Sequence, residues 1–121
     1  MSELYAKLFV DTSADHAALL RVVRDCTNGV QDDWTIVSSS VEAEVRPNDD
    51  SRLPARDDSP DDFVYFPFTI DIEPVNAGCG LDEFLKGIST IVVGLAQSGM
   101  RVVAACDWED ALPGGGRLGF N

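Results

Sequence analysis

Between Leu81 and Leu95 the apolar residues Leu81, Phe84, Leu85, Ile88, Ile91, Val92 and Leu95 recur at three- and four-residue intervals. That spacing is the mark of a helix with one apolar face, and such a face must be covered by a sheet or by other helices. The rest of the chain supplies both kinds of partner. A helix is expected from the Asp11-Thr12-Ser13 stop to about Thr27, with Leu19, Leu20, Val22, Val23 and Cys26 as its stripe. Thr12 and Asp15 have the spacing of a capping box, and Asn28-Gly29 supplies the left-handed residues that end a helix.

Four segments read as strands. Leu4–Val10 is the first. In Trp34–Val45, Val41, Ala43 and Val45 alternate with Glu42 and Glu44, the period of two expected of a half-buried strand. Ser38-Ser39-Ser40 interrupts that run and is suited to a bulge. Phe63–Glu73 alternates most clearly: Val64, Phe66, Phe68, Ile70 and Ile72 face one way, and Tyr65, Pro67, Thr69, Asp71 and Glu73 the other. Pro67 cannot donate to a ladder, which places this strand at an edge or gives it a bulge. Met100–Cys106 is nearly all apolar, as near a sheet centre, and Gly99 sits where a helix cap belongs.

The order strand, helix, strand, strand, helix, strand predicts an α+β fold of the ferredoxin-like split βαβ kind (βαββαβ). This is one four-stranded antiparallel sheet with two helices on one face. The whole chain, 1–121, reads as a single domain. Residues 46–62 hold six Asp, three Arg and three Pro and are expected to form an acidic hairpin loop, and 107–121 an irregular tail.

Charge narrows the function. The 121 residues carry 21 acidic and 9 basic side chains, a net charge of −12. Repulsion from phosphates argues against nucleic acid and against anionic membranes as partners. No apolar run approaches the ~20 residues of a membrane span. Cys26, Cys79 and Cys106 are odd in number and lack C-x-x-C spacing, so reduced thiols in a cytoplasmic protein are expected.

No constellation specifies catalysis, a cofactor or a metal. His16 is the only histidine and reads as a surface residue of the first helix. Cys79, between Gly78 and Gly80 before a helix, has the position of an activated thiol, but Asp82 and Glu83 oppose thiolate formation. The same Gly-Cys-Gly turn lacks the further glycine and the Lys-Ser or Lys-Thr of a phosphate loop. The paired aspartates of the 46–62 loop do not match a calcium loop and read as solvated charge. Gly114-Gly115-Gly116-Arg117 reads as a flexible or backbone-docking tail.

Asp107-Trp108-Glu109-Asp110, directly after the last strand, joins an aromatic anchor to carboxylates suited to a partner's arginines, although a Trp at a strand end more often closes a core. Helices on one side of an antiparallel sheet leave its other side uncovered, and there Tyr65, Asp71 and Glu73 are expected to face out with Thr69. The size, the acidity, the α+β pattern and the run Asp107-Trp108-Glu109-Asp110-Ala111-Leu112-Pro113-Gly114-Gly115 resemble the small acidic immunity proteins of bacterial polymorphic toxin systems. That resemblance implies a non-enzymatic inhibitor of a basic toxin or enzyme. The residues themselves, on the open face and after the last strand, make Tyr65, Asp71, Glu73, Asp107, Trp108, Glu109 and Asp110 the expected partner-binding groups. The alternative is a regulatory domain binding a small molecule at a homodimer interface, with the Gly78-Cys79-Gly80 loop as its contact.

Overall fold

The computed structural model describes residues 4–48, 62–76 and 78–119. In chain order the elements are β1 (Ala6–Asp11), α1 (His16–Thr27), β2 (Val30–Asp32), β3 (Thr35–Val37), β4 (Val41–Pro47), β5 (Phe68–Pro74), α2 (Leu81–Gln97), β6 (Arg101–Ala105) and β7 (Arg117–Leu118). The strands form one antiparallel sheet in the order β2-β3-β4-β5-β1-β6-β7.

The α+β class holds, but the four-stranded ferredoxin-like sheet is corrected to seven strands. The expected second strand is two. Ser38 donates its hydroxyl to the Val41 carbonyl (3.0 Å), and its backbone N–H donates to the same oxygen (2.9 Å), so the serines turn the chain instead of bulging it. The short β2 pairs with β3 across a turn where Asp33 has φ 57°. The tail adds β7, preceded by a single 3₁₀ turn at Glu109–Ala111 and by a kinked turn over Pro113–Gly116 in which Gly114 and Gly115 are left-handed (φ 63° and 65°). Gly119 is obligatory behind β7: its φ is +86°, and a Cβ there would strike the Met100 carbonyl.

The expected third strand is shortened at its start. Residues Asp62–Tyr65 form a 3₁₀ turn, and pairing begins only after Pro67. Of the expected acidic loop, residues 49–61 lie outside the described residues, while Arg46 and Pro47 still belong to β4. The helix starts at its aspartate: Asp15 caps α1 by accepting the Ala18 N–H at 2.8 Å, and Thr12 takes the Ala14 N–H. Asn28 closes that helix with φ 58°.

One core joins both helices to one face of the sheet. Ala6, Leu8 and Val10 of β1, Val41, Ala43 and Val45 of β4, Ile70 and Ile72 of β5, and Val102 and Ala104 of β6 pack with Leu19, Val23, Phe84, Ile88, Ile91 and Leu95. The helices approach closely at Gly94, where an added Cβ would lie 2.6 Å from Cys26 Cβ. No described helix is long and apolar enough to cross a membrane. Gly94→Ala gains helix propensity of about 1 kcal/mol, but overpacking costs about 1–3 kcal/mol. The expected result is a net loss of about 1 kcal/mol in urea unfolding; a gain would show that the helices do not touch there.

Candidate docking face

The sheet's other face is built by the residues that alternate with the core. Register fixes their neighbours. Across β4 and β5, Glu42 lies opposite Glu73 and Glu44 opposite Asp71, while Ala43 faces Ile72 and Val45 faces Ile70 in the core layer. Thr35 of β3 adjoins Glu44, and Lys7 of β1 adjoins Asp71. Four carboxylates therefore occupy two adjacent cross-strand pairs, an arrangement in which directly opposed like charges repel.

Half of this face is covered. Residues 62–67 cross it as a strap before the chain enters β5. Phe63 meets Phe9 edge-on with centroids 5.1 Å apart, and the Arg117 guanidinium lies 5.4 Å from the Phe63 ring. Arg101, ion-paired with Asp11, lies 5.2 Å from the Phe66 ring. Asn48 fastens the strap by donating its backbone N–H to Pro67 O (2.8 Å) and its side-chain amide to Phe66 O (2.7 Å). Beneath it Thr69 is only 6% exposed, although it belongs to the outward set.

The half that the described residues leave open is the acidic one. There Tyr5, Thr35, Glu42, Glu44, Asp71 and Glu73 line a hollow of about 270 Å³. Arg46 pairs with Glu44 at 2.9 Å, and the Tyr5 hydroxyl donates to Asp71 Oδ1 at 2.6 Å. Burial, then the Asp71 hydrogen bond, then the charges of Asp71 and Glu73 push the Tyr5 phenol up to about 12. Val30, 71% exposed, and its partner Val37 flank the carboxylates on one side, and Tyr5, 43% exposed, on the other.

Of the expected contact residues, only Asp71 and Glu73 line this hollow. Tyr65 sits half-buried in the 3₁₀ turn rather than on a strand, and Thr69 lies under the strap. Trp108 is half-buried against the core, edge-on to Phe84 at 6.3 Å. Asp107, Glu109 and Asp110 are exposed in the turn after β6, with Glu109 accepting the Cys106 N–H at 3.4 Å. Tyr5, Thr35, Glu42 and Glu44 were missed. The alternation in β4 already marked both glutamates as outward; what the pattern lacked was the neighbour across the ladder.

His16 is half-buried, not a free surface residue. Its Nε2 lies 2.8 Å from the Val45 carbonyl oxygen, with Trp34 edge-on at 4.8 Å and Phe68 stacked at 5.9 Å. The ring ties the start of α1 to the sheet. The thiols are not activated. Cys79 points its S–H between the carbonyls of Gly80 (3.5 Å) and Ser40 (3.7 Å), and burial with the neighbouring Glu83 holds it above its ordinary range. Burial likewise raises Cys106, and Cys26 to about 11. Among the described residues no group of three or more His, Cys, Asp or Glu is arranged to hold a metal ion.

Comparison with protein-family models, curated proteins and solved structures finds no match to this chain.

The Tyr5 bond carries a pH signature. A phenol raised from 10.0 to about 12 stabilises the fold fully below pH ~10, and that contribution is lost as pH rises through about 12. Ultraviolet titration is expected to show a late-ionising tyrosine that Tyr5→Phe removes. A wild-type curve with both tyrosines ionising near pH 10 would contradict the Tyr5–Asp71 hydrogen bond.

Proposed function

We propose that the chain is a non-catalytic docking module that binds a basic protein surface on the uncovered half of its sheet. The observation that carries this reading is the pairing of Glu42 with Glu73 and of Glu44 with Asp71 on the half of the face that no other element covers among the described residues. Opposed like charges oppose folding, and a basic partner converts that repulsion into attraction. Val30 and Tyr5 beside the carboxylates add apolar contact, so the partner combines arginine or lysine with apolar side chains. An immunity-type inhibitor covering a basic toxin or enzyme is the specific form this reading takes. Its acidity would steer encounter, raising the on-rate at low salt. The hollow has carboxylate, hydroxyl and phenol walls instead of the largely apolar lining of small-molecule pockets, which favours a protein partner over a small ligand.

The test compares three immobilised chains in lysate of the source cells at low and moderate salt. These are the wild type, Glu42→Gln/Glu73→Gln, and the control Asp25→Asn/Asp82→Asn, which removes two exposed charges from the helices. The expected result is a basic protein held by the wild type and the control and reduced about tenfold or more on the face variant, as loss of close charge pairs produces. Equal capture by all three chains would overturn the docking face.

A further inference from the structure

Besides Arg46, which pairs with Glu44, the register sets a second cation against the acidic face. Lys7 on β1 lies directly opposite Asp71 on β5, so both side chains leave the same side of the sheet. Opposite charges in such cross-strand positions ordinarily pair. Here they do not: the ion pairs among the described residues are Arg24–Asp25, Arg46–Glu44 and Arg101–Asp11. The Lys7 ammonium instead lies 5.7 Å from the centroid of the Phe9 ring, two residues along its own strand and on the same face. That is within the ~6 Å reach of a cation–π contact.

The neighbours account for this choice. Tyr5, two residues the other way, already occupies Asp71 with its hydroxyl. Phe9 is held in place by the edge of Phe63 from the strap, so its ring is a fixed platform for the ammonium. An exposed ion pair and an exposed cation–π contact are of similar strength, so a pre-placed ring is enough to decide between them.

We infer that Phe9 holds Lys7 away from Asp71, keeping that carboxylate free of an internal counter-ion, and so sets how strongly the face draws a basic partner. This rests on the docking reading above. It adds a device outside the carboxylates that sets their strength, and it links the covered half of the face to the open half. The strap fixes Phe9, Phe9 holds Lys7, and Lys7 is kept from screening Asp71. Losing the ring lets the ammonium swing to the carboxylates and compete with the partner's own cations.

The test uses the full chain and a fluorescein-labelled decalysine peptide, with affinity read by anisotropy at low salt. Phe9→Leu is expected to weaken binding about threefold, the scale of one exposed cation–π contact. In a Lys7→Met background the same Phe9→Leu change is expected to have no effect. An unchanged affinity in Phe9→Leu, or the same loss with and without Lys7, would overturn the inference. A measurement on the wild type alone guards against a variant that fails to fold: the Lys7 side-chain methylene protons should show an upfield ring-current shift in NMR spectra. Its absence would equally overturn the inference. The docking reading fails separately, if decalysine binds the wild type no better than Glu42→Gln/Glu73→Gln.

Discussion

The pairing register of β4 with β5 governs both sides of this molecule. With Ala43 against Ile72 and Val45 against Ile70, the helices find a continuous apolar layer to cover. The same register sets Glu42 against Glu73 and Glu44 against Asp71 on the other side. A slip of β4 by one residue would turn Ala43 and Val45 out of the core and bury Glu42 and Glu44, so the core enforces the acidic face. The repulsion it creates is small beside the apolar burial that fixes the register, and it persists as a feature of the folded surface.

The strap gives that surface its limits. An antiparallel sheet with helices on one side exposes its whole opposite face unless another segment crosses it. Here Phe63 and Phe66 bury the part over β1 and β6, with Arg101 and Arg117 laid on their rings. Apolar and cationic groups are gathered under and around the strap, and carboxylates remain beyond it. The face is divided by chemistry as well as by cover, and Lys7 and Phe9 lie along the dividing line.

The elements with uninterrupted periods were legible in the sequence. The stripes of α1 and α2, the alternation of Val41–Val45 and the apolar β6 all stand close to where their spacing put them. Errors arose where a local hydrogen bond outweighed the pattern. Ser38 turns the chain through its bonds to Val41, which splits the expected strand into β3 and β4. Pro67 ends the alternation, and Tyr65 leaves the strand for a 3₁₀ turn. Asp71 and Glu73 were found because side-chain alternation is local. Tyr5 and Glu42 belong to the same site through ladder register, a long-range relation that no single segment encodes. Trp108 followed its apolar character into the core instead of the carboxylates on either side of it.

The docking face depends on the fold holding opposed carboxylates side by side against their own repulsion. A double-mutant cycle on Glu42→Gln and Glu73→Gln, read by urea unfolding at low salt, tests it most directly. The predicted result is that each single change stabilises the fold and that the Glu42–Glu73 interaction in the wild type is unfavourable by about 0.2–1 kcal/mol, shrinking as salt is added. A favourable interaction, or one indistinguishable from zero at low salt, would contradict the claim.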